Sequence, residues 1–297
     1  MTTGIIALDW GTTSFRAYRC DRTGQVLEQI AAPQGILSIA GGDFESALER
    51  HIGAWDKSYP VIAAGMITSR QGWIELPYVE CPAGIGDLSR NLHRFTTKSS
   101  RRMAFVTGLS YRGPDGMPEV MRSEEVQVFG SLDTGLRHFI TPGTHSKWIT
   151  VENDQIVGYA TYVSGEVFAA LKDHTILGRL MKPGTDDDVA FAQGVRAALA
   201  DPGGFLHRIF SARSLGLFGE IEPGSIASYL SGQVIGTEVA HAIRNAAVNA
   251  EYCVLASPGI GERYVQALRI AGIRVRNGDP QAIVKGLMRI AAEAELI

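Results

Sequence analysis

Residues 5–18, Ile5-Ile-Ala-Leu-Asp9-Trp-Gly-Thr-Thr-Ser14-Phe-Arg-Ala-Tyr18, decide how this chain is read. Ile5–Leu8 is a short apolar run that suits a buried first strand. It stops at Asp9, and Gly11, Thr12, Thr13 and Ser14 form a turn before Phe15, Ala17 and Tyr18 resume a strand pattern. Asp21–Gly24 turns the chain again, and Gln25–Ile30 supplies a third strand. A turn of Gly, Thr, Thr and Ser directs backbone N–H groups and hydroxyls to one point, an arrangement that suits phosphate oxygens. Asp9, just before it, is placed to hold a hydrated Mg²⁺ facing the same phosphates, because Mg²⁺ prefers carboxylate, water and phosphate oxygens. A single Asp-x-Gly could equally be an ordinary hairpin.

The pattern recurs past the middle of the chain. Phe139–Thr141 leads into Pro142-Gly-Thr-His-Ser146, followed by a strand at Lys147–Val151, a turn at Asn153-Asp154 and a strand at Gln155–Val163. Gly143, Thr144, His145 and Ser146 match Gly11, Thr12, Thr13 and Ser14 in a Gly-Thr-x-Ser core. The repeat predicts two related halves, 1–137 and 138–297, each opening with a phosphate-binding hairpin. Two such hairpins suit a nucleoside triphosphate held in a cleft between the halves.

Around these hairpins the pattern alternates. Asp43 is placed to cap a helix running to about Trp55, Pro60–Met66 and Met103–Thr107 read as buried strands, and Ser123 is expected to cap a helix from Glu124 to about Asp133. Later helices are expected over Ser164–Asp173, Asp186–Ala200, Ser225–Ala250, Glu262–Ala271 and after Asp279-Pro280, with strands at Cys253–Ala256 and Arg274–Arg276. This predicts an α/β protein with mixed sheets.

The chain of 297 residues is 45% hydrophobic and 20% charged, with a formal net charge of −3, and so carries no signature of a nucleic-acid or anionic-membrane partner. Cys20, Cys81 and Cys253 are scattered and lack metal or disulfide spacing. With no basic n-region or long apolar run, the expected location is the cytoplasm. The oligomeric state is open, a homodimer included. Gly 34 and Pro 12 indicate many turns with special backbone angles.

A third glycine-rich turn, Ser257-Pro-Gly-Ile-Gly261, joins a strand to a helix and would let the backbone approach an adenosine through Ser257, Gly259 and Gly261. It lacks the dinucleotide fingerprint, because Tyr264 stands at the third glycine, and the chain has no Walker A motif. Taken in order, the Asp9–Ser14, Gly143–Ser146 and Ser257–Gly261 motifs resemble the phosphate-1, phosphate-2 and adenosine motifs of the actin/hexokinase/Hsp70 ATPase superfamily. Longer strings resemble the 2-dehydro-3-deoxygalactonokinase family over essentially the whole chain: Gly65–Trp73 (GMITSRQGW), Arg112-Gly-Pro-Asp115, Met121–Gln127 (MRSEEVQ) and Pro142–Trp148 (PGTHSKW). The resemblance implies an actin-like (ribonuclease H-like) α/β fold with an interdomain cleft. It also implies ATP-dependent, Mg²⁺-assisted phosphorylation of 2-dehydro-3-deoxy-D-galactonate on its 6-hydroxyl, a step of galactonate catabolism. The alternatives are a kinase for another sugar acid, such as the gluconate-derived epimer, or a non-kinase actin-like ATPase.

The substrate of such a kinase is a six-carbon 2-keto acid, and arginine forks suit its carboxylate. Arg70, flanked by Ser69, Gln71 and Trp73, is the first choice and Arg16 the second, with Arg112 and Arg122 also near the expected site. Lys147 is a candidate for contact with substrate or phosphate, His145 for a phosphate or a substrate hydroxyl, and Glu166 for substrate hydroxyls or Mg²⁺. Many sugar kinases of the superfamily place a catalytic Asp at the head of the helix before the phosphate-2 hairpin. Here Ser123-Glu124-Glu125 stands in that place, with Val128-Phe129-Gly130 one turn later. Glu124 is the preferred base, and Glu125 and Asp115 are the alternatives. Both glutamates also sit where a first-turn acid is favoured by the helix dipole, worth about 0.3–1 kcal/mol.

Overall fold

The computed structural model describes residues 4–245 and 249–297. The chain divides into one unit made of residues 1–135, 150–159 and 279–297 and a second made of residues 136–149 and 160–278. The division is therefore not a single break near residue 137. The chain leaves the first unit at Gly135 and returns to it twice.

In the first unit, β1 (Gly4–Trp10), β2 (Phe15–Asp21), β3 (Val26–Ala32), β4 (Val61–Ala64), β6 (His93–Thr96) and β7 (Arg102–Phe105) form a six-stranded sheet in the order β3-β2-β1-β4-β7-β6. β1 runs antiparallel to β2 and parallel to β4, with Asp9 opposite both Arg16 and Ala64. A separate three-stranded sheet, β5 (Val79–Glu80), β8 (Leu109–Arg112) and β9 (Pro118–Met121), pairs in the order β5-β8-β9 and was absent from the expectation. Its strands are two to four residues long, too short for a periodicity to show.

Helix α1 (Phe44–Ile52) begins as expected, with the Asp43 carboxylate accepting the Ser46 N–H, and stops at Ile52. Phe44, Ala47, Leu48 and Ile52 recur at helical spacing and are buried with Trp10, Phe15 and Phe105 in one core. Gly65 ends β4 at φ +105°, where a Cβ would lie 2.7 Å from the Trp10 carbonyl oxygen. Only glycine allows that backbone and that approach, so the loop after β4 can run against the end of β1. Two short helices follow, α2 (Ile85–Arg90) and α3 (Glu124–Phe129).

The second unit repeats the first sheet's order. β10 (His138–Thr141), β11 (Ser146–Glu152), β12 (Gln155–Tyr162), β13 (Glu251–Val254) and β14 (Arg274–Asn277) run β12-β11-β10-β13-β14, matching β3-β2-β1-β4-β7. The tip of the β11/β12 hairpin, residues 150–159, groups with the first unit. Helices α4 (Ser164–His174), α5 (Asp188–Ala200), α6 (Phe205–Arg208), α7 (Ser211–Leu217), α8 (Ile226–Ala242) and α9 (Ile260–Ile270) surround this sheet. Asp187 caps α5 by accepting the Val189 and Ala190 N–H groups. α8 ends at Ala242, short of the expected Ala250, and residues 246–248 of that expectation lie outside the described residues. No described helix is long and apolar enough to cross a membrane. The three cysteines are free thiols.

Helix α10 (Ala282–Glu293) returns to the first unit and packs on α3. A side chain at Gly130 would collide with the Ala282 carbonyl, and one at Gly286 with that of Val126. Arg289 donates to the Phe129 carbonyl at 2.7 Å.

Candidate active site

In the first unit the hairpin between β1 and β2 is closed by the Gly11 N–H donating to the Ser14 carbonyl at 2.9 Å, which leaves Thr12 and Thr13 exposed at its tip. Asp9 sits one residue inside the strand end, with its side chain 15% exposed. Its Oδ2 lies 3.4 Å from Arg16 and its Oδ1 accepts the Ser123 hydroxyl at 3.1 Å. Burial pushes the Asp9 carboxyl above its ordinary range, opposed by Arg16 and Ser123.

Ser123 does not cap α3 with its side chain. Its backbone has φ +92°, a left-handed geometry uncommon for a residue other than glycine, and this turns the hydroxyl to Asp9. The two acids after it act as the cap instead: Glu124 Oε2 accepts the Arg122 N–H and Glu125 Oε1 accepts the Ser123 N–H, each at 2.9 Å. Glu125 is 1% exposed and its Oε2 is buried without a hydrogen-bond partner. Burial, then repulsion from Glu124, pushes its carboxyl up to about 8. Glu124 is half-buried at the same turn. The structure thus brings Asp9, Arg16, Ser123 and both glutamates together.

The expected arginines divide into two kinds. Arg122 is committed to the protein: it donates to the Thr68 hydroxyl at 2.8 Å and the Leu76 carbonyl at 2.7 Å, and lies over the Tyr78 ring. It fixes both ends of the 68–78 segment rather than standing open to a ligand. Arg112 donates to the Gly116 carbonyl in its own β8–β9 turn, where Asp115 accepts the Met117 N–H. Arg70 and Arg16 are different. Arg70 is 87% exposed, with Glu75 at a loose 3.6 Å, and Arg16 is 45% exposed beside Asp9. Ser69 turns its hydroxyl back to the Met66 carbonyl, and Gln71 is exposed. Trp73 stacks on Phe44 and meets Phe95 and Phe105 edge-on, so its half-buried ring packs against the core.

In the second unit the matching turn leaves Gly143, Thr144 and His145 exposed while Ser146 and Lys147 are buried. Superposing the Gly-Thr-x-Ser cores places Thr141, buried and with its hydroxyl unpartnered, where the first unit has Asp9. Ser146 does not face outward. Its hydroxyl donates to Glu238 Oε1 at 2.6 Å. Lys147 lies 3.0 Å from the Thr161 hydroxyl, His145 pairs with Glu166 at 2.8 Å, and the Glu166 N–H donates to the Thr144 carbonyl. The turn therefore rests on the first residues of α4, so close that a side chain at Gly165 would strike the Gly143 carbonyl. Ser257 and Gly259 are exposed before α9, and Gly259 has φ +85°. Gly143, Ser164, Gly165, Ile260 and Tyr264 line one small pocket.

Sequence reasoning missed Glu238 of α8. Glu238 Oε1 accepts Ser146 and Trp148, the latter at 2.7 Å, and Oε2 accepts the Tyr264 hydroxyl at 2.7 Å. Burial pushes its carboxyl up, and Ser146, Ser164, Trp148 and Tyr264 oppose the shift. The signal was available: it is the only charged residue in the stretch 226–242, whose other polar residues are Ser, Thr, Gln, Tyr and His.

Two sheets of equal strand order, each opened by a Gly-Thr-x-Ser hairpin, place the protein in the class of actin-like ATPase folds. The solved activator of 2-hydroxyisocaproyl-CoA dehydratase from Clostridium difficile shares this fold, with TM-score 0.50 and 10% identity over 99% of this chain and 95% of that one. Within the class the match narrows. The family model described as 2-keto-3-deoxy-galactonokinase matches residues 9–290, and the chain belongs to that family. Its relatives include a Rhizobium meliloti (strain 1021) protein assigned as a 2-dehydro-3-deoxygalactonokinase, 31% identical over 97% of this chain and 96% of that protein. The 2-dehydro-3-deoxygalactonokinase of Escherichia coli (strain K12) is 29% identical over 93% of this chain and 92% of its own length. A solved Sinorhizobium meliloti structure assigned the same activity has TM-score 0.88 at 31% identity, covering 97% of this chain and 98% of that one.

Proposed function

We propose that the protein transfers the γ-phosphoryl group of ATP to the 6-hydroxyl of 2-dehydro-3-deoxy-D-galactonate, giving the 6-phosphate and ADP. The observation that carries this reading beyond family membership is the Asp9–Ser123 hydrogen bond, which joins a phosphate-binding hairpin to the turn bearing Glu124 and Glu125. Phosphoryl transfer needs charge neutralisation at the phosphates and a carboxylate near the attacking hydroxyl, and this bond ties Asp9, the residue proposed for a cation, to the turn that bears the carboxylates.

In this reading Glu124 accepts the proton of the 6-hydroxyl as its oxygen bonds to phosphorus and the bond to the ADP oxygen breaks. Glu125 is a poor base for the same step, because it is buried, out of reach of a ligand, and burial pushes its carboxyl up to about 8, so that it holds its own proton at neutral pH, whereas Glu124 is half-buried. Thr12 and Thr13, and Thr144 and His145, are the exposed turn residues offered to phosphate oxygens. Arg70 binds the substrate carboxylate: its exposed, loose pair with Glu75 is of a kind worth about 0–1 kcal/mol, which a bidentate carboxylate can replace. Arg16 is the second choice.

Asp9 is the residue that would hold Mg²⁺. No cluster of three or more metal-ligating side chains occurs among the described residues, and a single desolvated carboxylate fits an ion bound mainly through water and phosphate oxygens. When bound with ATP, Mg²⁺ supplies neutralisation of phosphate charge.

ADP release measured in a coupled assay tests the proposal. Turnover with 2-dehydro-3-deoxygalactonate far above that with neutral hexoses is expected, because a site built for a carboxylate rejects an analogue lacking it. Equal turnover with hexoses would overturn the reading, and faster turnover with the gluconate-derived epimer would reassign the substrate within it.

A further inference from the structure

Two segments of the second unit carry proposed nucleotide contacts, the hairpin before β11 and the start of α9, and the first turn of α4 packs against the hairpin. Both segments lead into residues that hydrogen-bond to one buried side chain. Glu238 is 2% exposed, and through its two oxygens it takes donors from Ser146 and Trp148 at the start of β11 and from Tyr264 in α9, while Ser164 at the head of α4 helps hold its carboxyl down. The carboxylate itself comes from a fourth element, α8.

A hydrophobic residue could pack four elements together but could not fix their register, because dispersion contacts are not directional. Three convergent donors can. The outer surface of the same junction holds the exposed parts: Gly143, Thr144 and His145 lie immediately before Ser146, and Gly259 and Ile260 precede Tyr264, while the half-buried Gly165 follows Ser164. The small pocket at this junction is lined by Ser164 and Tyr264 themselves, together with Gly143, Gly165 and Ile260. A shift of Ser146 or Tyr264 would move its wall directly.

We infer that Glu238 is a positioning residue for nucleotide binding, setting the phosphate hairpin and the heads of α4 and α9 in the arrangement that receives ATP. It touches no reacting atom and acts through Ser146, Ser164 and Tyr264. The inference rests on the reading of the protein as an ATP-dependent kinase, but it concerns the nucleotide and not the identity of the sugar acid.

The test is ADP binding by calorimetry in the absence of sugar acid, with steady-state kinetics alongside, for wild type, Glu238→Gln, Ser146→Ala and Tyr264→Phe. Gln keeps the shape of Glu238 but turns one acceptor into a donor facing other donors. The expected result for Glu238→Gln is ADP affinity and KM for ATP weakened about tenfold or more, with KM for the sugar acid within about twofold of wild type. The two single-donor variants should show the same split at smaller size. They keep the carboxylate and two of its donors, so they answer the question even if Glu238→Gln fails to fold. Unchanged ADP binding in Ser146→Ala and Tyr264→Phe overturns the proposal, as does an equal rise of both KM values, which marks general loosening. Failure of the wild type to bind ADP would instead sink the kinase reading.

Discussion

The Ser123 hydroxyl donates to Asp9 Oδ1 across 3.1 Å, joining residues 114 positions apart in the chain, and it does so from a backbone with φ +92°. Such a conformation costs on the order of 1–3 kcal/mol outside glycine and persists where surrounding structure enforces it. The Glu125 carboxylate, which holds the Ser123 N–H, supplies that enforcement.

Replacing Ser123 separates strain from function. Ser123→Ala and Ser123→Gly both remove the hydroxyl, so both should lower kcat by about 10–100-fold if the bond orients Asp9. Only Gly relieves the backbone, so Ser123→Gly should be more stable than Ser123→Ala by about 1 kcal/mol in urea denaturation. Equal stability of the two would show that the positive φ is not strained here.

The two glutamates should part company in kinetics. Glu124→Gln is expected to lower kcat by about 10²–10⁴-fold while ATP affinity stays near wild type. Retained activity would move the role of base to Glu125 or Asp115, and single-turnover measurements on those variants would decide between them.

Glu125 also makes a prediction about pH. Its carboxyl is raised from 4.5 to about 8 in the fold, so between those values the native state holds a proton that the unfolded chain has released. The contribution is therefore fully present below pH 4.5 and is lost as pH rises towards 8, by about 1.4 kcal/mol per unit of pKa difference at most. Melting temperature against pH should fall across this window in wild type and much less in Glu125→Gln. Parallel curves would mean that Glu125 is ionised throughout.

Arg122 holds the 68–78 segment and not a ligand. Arg122→Ala breaks its bonds to Thr68 and Leu76 and its contact with Tyr78, which should cost about 2–3 kcal/mol in stability. KM for the sugar acid should rise while KM for ATP stays within about twofold, since Arg70, the arginine proposed for the substrate carboxylate, lies in the segment that loosens. A KM for ATP that rose equally would place Arg122 elsewhere in the mechanism.

Much of this was legible in the linear chain. The hairpins at Gly11–Ser14 and Gly143–Ser146 stood out because their Gly, Thr and Ser content is local, and the cap at Asp43 depends on a neighbour three residues away. What escaped was non-local. Ser123 looks like a helix cap until Asp9 arrives from the other end of the unit. Trp73 resembles a binding residue until Phe44, Phe95 and Phe105 surround it. Ser146 aligns with Ser14, yet its hydroxyl is turned inward by a glutamate on a helix 92 positions later. The β5-β8-β9 sheet was missed because strands this short carry no readable alternation.

Helix α10 has a consequence for the order of assembly. It packs on α3, the helix whose first turn carries Glu124 and Glu125, yet it follows the entire second unit in the chain. During synthesis residues 136–278 can complete their own sheet before the ribosome has made the piece that buttresses the turn bearing Glu124 and Glu125. The first unit is begun first and finished last, so a chain interrupted after residue 278 would retain every proposed ADP contact of the second unit and lack the support beneath Glu124.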